Sequence, residues 1–204
     1  MKKIGIMGGT FNPIHVGHLL LAEWAKETEN LDEIWLIPTG CSYMKSDIQV
    51  LDAKERFNMT ALAAEDNGYM RCLDIEVKRT GYTYTYETLQ ELKEQYPDDI
   101  FYFIFGADCL YSIENWKCPE KIFENCNIIA AIRGDASIKN MELKKKELEV
   151  RYNAKITLMN FLSIEMSSTN IRERVRMGQS IRYMVPDSVL SYIEEKGFYK
   201  DENN

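Results

Sequence analysis

The sequence predicts an α/β fold built on a doubly wound parallel sheet. Short runs of β-forming apolar residues alternate with longer stretches of helical periodicity along the 204 residues. The apolar runs are continuous rather than alternating with polar residues, which is typical of strands buried on both faces. No internal repeat, low-complexity tract or linker interrupts this order. We therefore expect one domain over residues 1–204, with residues 168–200 forming a C-terminal helical portion.

The first elements follow from short sequence patterns. "KIGIMG" at residues 3–8 predicts a buried strand, and the spacing of apolar residues over 15–28 predicts a helix. "EIWLIP" at 33–38 predicts a second strand, which ends at its proline. "AKERFNMTALAAED" predicts a helix over 53–66, and "RCLDIEV" predicts a strand over 71–77.

The middle of the chain continues the alternation. A helix is expected over 85–96, where Pro97 ends it. "IFYFIFG" at 100–106 is the most hydrophobic predicted strand, which places it near the centre of the sheet. A short helix near "CPEKIFENC" then precedes a strand at 127–132.

The last elements are mostly helical. The charged stretch "ELKKKELEVRY" predicts a surface helix, and "KITLMNF" predicts the last strand. Two helices, over 168–178 and 186–197, complete the chain. In open parallel sheets, ligands bind beyond the carboxyl ends of the strands, so the residues at these ends are the candidates for function.

Composition excludes several classes of protein. A net charge of −7 and a pI near 5.1 argue against a general nucleic-acid binder, which is normally basic. The N-terminus lacks the apolar run of a signal peptide, and no stretch has the length of a membrane span. The five cysteines are scattered and form no CxxC pair, which favours free thiols in a reducing cytoplasm.

Both histidines of the chain lie in "MGGTFNPIHVGH", between the first strand and the first helix. The glycines Gly8 and Gly9 allow a tight turn and close approach to a ligand. The N-terminus of the next helix favours an anion, and His15 and His18 project from its first turn. The pattern predicts a phosphate site. A zinc site is the weaker interpretation, because no third ligand lies at a useful spacing nearby.

"GGTFNPIHVGH" resembles the "GGTFDPIHxGH" signature of the HxGH nucleotidyltransferases, which join AMP from ATP to a nucleotide or another phosphorylated precursor. The resemblance implies that His15 and His18 hold the triphosphate. The other residues that it assigns to the ATP site in this turn are Gly8, Gly9, Thr10 and Phe11. Asn12 stands where aspartate is commoner and is assigned to the acceptor substrate. The implied fold is the Rossmann-like nucleotidyltransferase fold.

A second motif, "MSSTNIRER", begins with the helix-capping residues Ser167, Ser168 and Thr169. Arg172 follows one turn later, so hydroxyls, helix N–H groups and a guanidinium together favour a phosphate clamp. Taken alone, the same residues also describe a well-capped surface helix. The segment resembles the "ISSTxIR" motif of the same superfamily, which implies that these four residues bind ATP and that Arg172 is catalytic together with the two histidines.

The segment "RTGYTYTYETL" is similar to "RxGPSYTxDTL" of the bacterial nicotinate-nucleotide adenylyltransferases. The resemblance implies that Thr85 helps to recognise the pyridine carboxylate of the acceptor. The tyrosine-rich "YTYTY" leaves open whether these rings pack within the chain or in a homo-oligomer.

"FIFGADCLYSIENWK" is similar to "FIxGaDxLxxLxxWk" of that family. The resemblance implies that Gly106 and Asp108 line the ATP site, that Trp116 stacks on the nicotinate ring, and that Lys117 contacts the acceptor. An electron-poor pyridinium gains from an indole face, although a core position is the alternative for any single tryptophan. Arg133, in "AAIRGD", lies where the family contacts adenine.

One loop departs from the family pattern. After the second strand the family reads "PxGxPPHK", whereas this chain reads "PTGCSYMK". Pro38, Gly40 and Lys45 are kept, and Ser42, Tyr43 and Met44 replace Pro-Pro-His. We expect Lys45 to contact the substrate.

The resemblance implies an adenylyltransferase that uses ATP with Mg²⁺ and nicotinate mononucleotide, and releases deamido-NAD and pyrophosphate. The phosphate of the acceptor is largely dianionic at neutral pH and needs no general base, so the enzyme's task is positioning and charge stabilisation. Three alternatives stay open: an adenylyltransferase for nicotinamide mononucleotide or pantetheine phosphate, a cytidylyltransferase, and a non-catalytic nucleotide-sensing module.

Overall fold

The computed structural model describes residues 1–42, 50–65, 67–133, 138–162 and 165–200. The strands are β1 Lys3–Gly9, β2 Glu33–Pro38, β3 Cys41–Ser42, β4 Met70–Cys72, β5 Tyr82–Thr83, β6 Ile100–Gly106, β7 Asn127–Arg133 and β8 Ile156–Phe161. The helices are α1 Val16–Glu29, α2 Ala53–Ala64, α3 Thr85–Gln95, α4 Cys109–Ser112, α5 Pro119–Asn125, α6 Ile138–Tyr152, α7 Ser168–Arg176 and α8 Asp187–Lys196. A 3₁₀ turn spans Ile113–Asn115.

Six strands form one parallel sheet in the order β4-β2-β1-β6-β7-β8. The chain winds outward in one direction from β1 through β2 to β4, and in the other direction from β6 through β7 to β8. The order therefore reverses between β1 and β6, where the carboxyl ends of the two central strands diverge and leave a crevice. This confirms the predicted doubly wound sheet and the central position of residues 100–106.

Each face of the sheet is covered by helices over its own apolar core. The first core packs α1, α2, α7 and α8 on one face, with Ile14, Ala22, Met59 and Val189 among its fully buried residues. The second core packs α3 to α6 on the other face, around residues such as Phe101 and Leu110. The four inner strands β2, β1, β6 and β7 are mostly buried on both faces, as their continuous apolar sequences predict.

The predicted strand over 71–77 is wrong in its length. β4 pairs with β2 only over Met70–Cys72, and the chain then turns through residues 75–78. Pro38 lies two residues beyond Leu36, the last residue of β2 that pairs with β4, and has no N–H with which to continue that ladder. The turn carries Glu76 towards the site described below.

Three short elements were not predicted. Cys41–Ser42 and Tyr82–Thr83 pair with each other as a separate two-stranded sheet, and the four-residue helix Cys109–Ser112 follows β6. All three lie beside the carboxyl ends of the central strands. Elements of two to four residues carry too little periodicity to be recognised from sequence.

Candidate active site

Two cavities lie at the carboxyl ends of the central strands and share the residues Gly9 and Thr10. The first, which we call the histidine cavity, has a volume of about 410 Å³. Its described lining consists of Gly9, Thr10, Phe11, Asn12, His15, Gly17, His18, Leu21, Val50, Phe161, Met166, Ser167, Ser168, Thr169 and Arg172. The two predicted phosphate motifs, far apart in the chain, therefore meet around one cavity.

The turn after β1 is shaped by close packing of its own residues. A Cβ on Gly9 would lie 2.8 Å from Cε1 of Phe11, which is buried and has a φ of +47°. A Cβ on Gly8 would meet only ordinary contacts, from 3.5 Å outward. The close approach therefore requires glycine at position 9, and Gly8 lines the second cavity instead.

The two imidazoles lie face to face at the start of α1. Their centroids are 3.7 Å apart with an angle of 22° between the planes, and Phe11 forms a T-shaped contact with His18. His15 is buried, at 5% exposure, and His18 is half-buried. The backbone N–H of His15 donates to Nδ1 of His18 at 3.3 Å. Nδ1 is therefore the acceptor, and in the neutral ring Nε2 carries the proton as a donor.

The start of α7 is tied to the turn after β1 by side-chain bonds. Ser167 caps the helix by accepting the N–H of Asn170 at 3.1 Å, and Ser168 Oγ donates to the carbonyl of Pro13 at 2.8 Å. Arg172 donates from Nη1 to the carbonyl of Asn12 at 2.9 Å and from Nη2 to Thr169 Oγ1 at 3.2 Å. The guanidinium is thereby oriented at the wall of the histidine cavity, beside hydroxyl groups that suit an anion.

The second cavity, which we call the tryptophan cavity, has a volume of about 300 Å³ and opens on the other side of Gly9 and Thr10. Of the residues assigned to the acceptor, Thr85, Trp116 and Lys117 line it. Trp116 is half-buried and packs against Phe103 and Phe105, with ring centroids 6.2 Å away in each case. It therefore packs on the core and also forms part of the cavity wall.

A buried carboxyl group lies in the same cavity. Glu76 is 6% exposed, and its Oε1 accepts the hydroxyl of Thr88 at 2.8 Å. Burial raises the pKa of Glu76, and the hydrogen bond from Thr88 opposes this shift. Gly40 itself has no room for a side chain, since a Cβ would lie 2.3 Å from the carbonyl oxygen of Glu76.

Several assigned residues fall elsewhere. Asn12, which the resemblance assigned to the acceptor, lines the histidine cavity and not the tryptophan cavity. Gly106 and Asp108 lie at the end of β6 but line neither cavity. Arg133 ends β7, and its side chain is outside the described part of the structure, as is Lys45 with the altered residues Tyr43 and Met44.

Sequence reasoning missed Arg56, Glu76 and Tyr199. Arg56 is buried on α2 together with Met59, Thr60, Ala63 and Ala64. Its place in this helical spacing of core residues was a usable signal, because an arginine on a buried helix face requires specific partners. Tyr199 donates its hydroxyl to Asn12 Oδ1 at 2.9 Å, and no local pattern points to that contact.

Within the described ranges, no group of three or more histidine, cysteine or acidic side chains is placed to hold a metal ion. The described lining of the histidine cavity also includes no carboxylate. No helix among these residues is long and apolar enough to cross a bilayer. The five cysteines all lie in the described part of the chain, and each is a free thiol.

Comparison with known proteins gives one consistent result. Residues 6–174 match the cytidylyltransferase-like family. The chain is 47% identical to the probable nicotinate-nucleotide adenylyltransferase of Lachnoclostridium phytofermentans, over 98% of this chain and all of that protein. It is 41% identical to the protein of the same name from Dehalococcoides mccartyi, over 97% of each.

A similar fold occurs in the Plasmodium falciparum nicotinic acid mononucleotide adenylyltransferase complexed with NaAD. The two chains superpose with a TM-score of 0.78 over 98% of each, at 24% identity. The same enzyme complexed with APC gives a TM-score of 0.77. At this identity the likeness shows a shared fold, in agreement with the doubly wound sheet.

Proposed function

Since the chain belongs to the cytidylyltransferase-like family and, within it, to the nicotinate-nucleotide adenylyltransferases, we propose how its two cavities carry out that reaction. The enzyme transfers the adenylyl group of ATP to nicotinate mononucleotide, giving deamido-NAD and pyrophosphate for NAD biosynthesis. One observation supports the assignment of one substrate to each cavity. A cationic cavity lined by hydroxyl groups and an aromatic cavity meet at Gly9 and Thr10.

The triphosphate of ATP occupies the histidine cavity in this proposal. His15, His18 and Arg172 face the negative charge, with the hydroxyl groups at the start of α7 beside them. Nε2–H of His18 donates to the phosphate on which charge develops. Arg172, already oriented by Asn12 and Thr169, holds the departing pyrophosphate. Donors that are held in place before reaction stabilise developing charge without the cost of reorganisation.

The acceptor occupies the tryptophan cavity, with its pyridine ring against Trp116 and its phosphate at the Gly9–Thr10 junction. An oxygen of that phosphate attacks the α-phosphorus of ATP as the bond from this phosphorus to the pyrophosphate oxygen breaks. The second pKa of a phosphate monoester is about 6, so the nucleophile is mostly dianionic at neutral pH and requires no base. The main contribution of the protein is to hold two polyanions in line.

Nucleotidyl transfer generally uses a divalent metal ion, and we infer that Mg²⁺ enters with ATP. Mg²⁺ binds oxygen ligands and is commonly held by substrate phosphates and water. The described lining of the histidine cavity fits this mode, because it offers hydroxyl and amide oxygens and no carboxylate. The free thiols fit a reducing cytoplasm, where we place the enzyme.

Product analysis tests the proposal. The purified chain is incubated with ATP, Mg²⁺ and, separately, nicotinate mononucleotide, nicotinamide mononucleotide and 4′-phosphopantetheine, with CTP replacing ATP in a parallel series. The proposal predicts deamido-NAD and pyrophosphate in equal amounts as the dominant products. Dominant turnover of another acceptor, dominant use of CTP, or no turnover at all would each contradict it.

A further inference from the structure

Arg56 is the one lysine or arginine that is buried among the described residues. It lies on α2, 2% exposed, and lines neither the histidine cavity nor the tryptophan cavity. A guanidinium remains charged in proteins, so this side chain places a full positive charge in the interior. Such a charge needs hydrogen-bond partners to offset its loss of hydration.

Its partners are backbone carbonyl groups from three separate segments. Nη1 donates to Thr10 at 2.7 Å, Nε donates to Leu51 at 2.9 Å, and Nη2 donates to Gly40 at 3.1 Å. Thr10 belongs to the turn after β1, Gly40 follows β2, and Leu51 leads into α2. One planar group therefore fixes the mutual positions of three stretches of backbone.

Two of these segments, those of Thr10 and Gly40, form or adjoin the cavities of the candidate active site. Thr10 is one of the two residues that line both cavities, so its peptide lies where the two substrates must meet. Gly40 also packs closely against Glu76, which lines the tryptophan cavity, since a Cβ on Gly40 would lie 2.3 Å from the carbonyl oxygen of Glu76. The Gly40 peptide is thus bound at its oxygen by Arg56 and lies in close contact with Glu76.

We propose that Arg56 is a positioning residue for adenylyl transfer: by holding the Thr10 and Gly40 peptides in one arrangement, it sets the alignment of the acceptor phosphate with the α-phosphate of ATP. This inference rests on the proposed function. Stability alone is a weak explanation for a charge at this site, since apolar residues of similar volume often serve a buried position equally well. A fork of three fixed donors is suited to defining geometry.

The test compares two Arg56 variants with a matched core variant. Arg56→Lys keeps the charge but not the fork, and Arg56→Met keeps the volume without donors. The control, Met59→Ala, removes a 0% exposed side chain one turn further along the same helix and touches neither cavity. Melting temperature, kcat and both KM values are measured for each variant, with assays kept below the lowest melting temperature.

Both Arg56 variants are expected to lose at least about 10-fold in kcat, because small misplacements of reacting groups cost up to about 100-fold. KM for each substrate should change by less than about threefold, since the groups lining each cavity remain. Met59→Ala should lower the melting temperature and leave kcat unchanged. If kcat stays at the wild-type value in both Arg56 variants, or falls equally in Met59→Ala, Arg56 is only a core residue.

Chemical rescue distinguishes a positioning role from a role in stability alone, because it measures the recovery of kcat in a variant assayed below its melting temperature. Arg56→Ala leaves a space of the size of the lost side chain, and added methylguanidinium should restore part of kcat in this variant while leaving wild type and Met59→Ala unaffected. Absence of rescue, or failure of all Arg56 variants to fold, overturns the inference. An inactive wild type would instead contradict the proposed function, so the two failures are distinguishable.

Discussion

The two histidines have different surroundings although they stack on each other. His15 is the N-cap residue of α1 and has a buried ring, whereas His18 is half-buried and accepts the backbone N–H of His15 at Nδ1. Its Nε2–H is therefore the donor best able to serve an incoming phosphate. His18 thus combines a structural bond at one nitrogen with a proposed catalytic bond at the other.

His18→Ala should lower kcat for deamido-NAD formation by about 10²–10³-fold, the usual effect of losing one fixed donor to developing charge. It should also lower stability modestly, because the N–H of His15 loses its acceptor. His18→Asn is the matched control, since its amide oxygen can accept that N–H while the imidazole is gone. Steady-state kinetics and urea unfolding of both variants check this. Wild-type kcat in either variant would remove His18 from the mechanism.

Glu76 should make stability depend on pH. Burial raises its pKa in the folded protein above the ordinary value of 4.5, so between these two pKa values the folded state binds more protons than the unfolded state. Its contribution to stability is therefore fully present below about pH 4.5 and is lost as the pH rises through the folded pKa.

We expect the stability of wild type, relative to Glu76→Gln, to increase as the pH falls from neutral towards 5. Glutamine does not titrate, so subtracting its unfolding free energy removes the contributions of the other ionisable groups. Urea unfolding of both proteins at several pH values measures this difference. A difference that is constant, or that decreases towards acid pH, would show that burial does not govern the carboxyl group.

The motif residues that line the histidine cavity could be predicted from the sequence, whereas the residues that support them could not. Glycine, histidine, serine and arginine occur in two short motifs whose chemistry is local. Arg56 instead binds a carbonyl 46 residues away, and Tyr199 binds a side chain 187 residues away. Only the folded chain brings such partners together.

Among the larger elements, strands flanked by strong signals were predicted well. Residues 33–38 and 100–106 form strands with the predicted bounds, since Pro38 and Gly106 mark their ends. The strand over 71–77 was predicted too long, because its apolar residues Leu73 and Ile75 pack on the second core from a turn. The apolar residues of this stretch indicate that it is buried. They do not indicate that it pairs as a strand.

Two adjacent serines at the start of α7 have different roles, which two substitutions can separate. Ser167→Ala removes the cap and should lower the unfolding free energy by about 0.5–2 kcal/mol. Ser168→Ala removes the bond to Pro13 and should raise KM for ATP by about tenfold, equivalent to about 1.4 kcal/mol of binding free energy. Chemical denaturation and kinetics on the pair measure both effects. A wild-type KM for ATP in Ser168→Ala would show that the bond to Pro13 does not position the helix.

At the scale of the whole molecule, the C-terminal segment is bonded to the elements that form the site. The N–H of Val16, at the start of α1, donates to the carbonyl of Met184 at 2.9 Å. Tyr192 on α8 accepts from Asn58 and donates to Glu55, both on α2. Tyr199 then reaches Asn12 in the turn after β1. These contacts support the proposal that residues 168–200 belong to the same domain as the sheet.

Tyr199→Phe should cost about 0.5–1.5 kcal/mol of unfolding free energy, the usual net contribution of one hydrogen bond. Asn12 Oδ1 also accepts the N–H of Leu51 at 3.4 Å, so it keeps one partner in this variant. The matched control is Tyr183→Phe, whose ring is 82% exposed. Equilibrium unfolding of the two variants checks the difference. Equal stabilities would mean that the hydroxyl of Tyr199 does not anchor the C-terminal segment.

The arrangement of the whole site was only partly predictable. A doubly wound parallel sheet implies that motifs following different strands converge at one edge, and the two phosphate motifs do so. The sequence did not reveal that Gly9 and Thr10 divide the space into two cavities, because this depends on the short β3–β5 sheet and on the turn that carries Glu76. Likewise, Tyr82 in "YTYTY" is 58% exposed while Tyr84 and Tyr86 are half-buried, a division that spacing alone did not predict.

The most direct test of the two-cavity account is a crystal structure of the chain with deamido-NAD, the product that spans both substrates. The account predicts the pyridine ring against Trp116 in the tryptophan cavity, the pyrophosphate beside Gly9 and Thr10, and the adenosine on the side of His18. A dinucleotide lying within one cavity, or with its pyrophosphate distant from Gly9 and Thr10, would contradict the account.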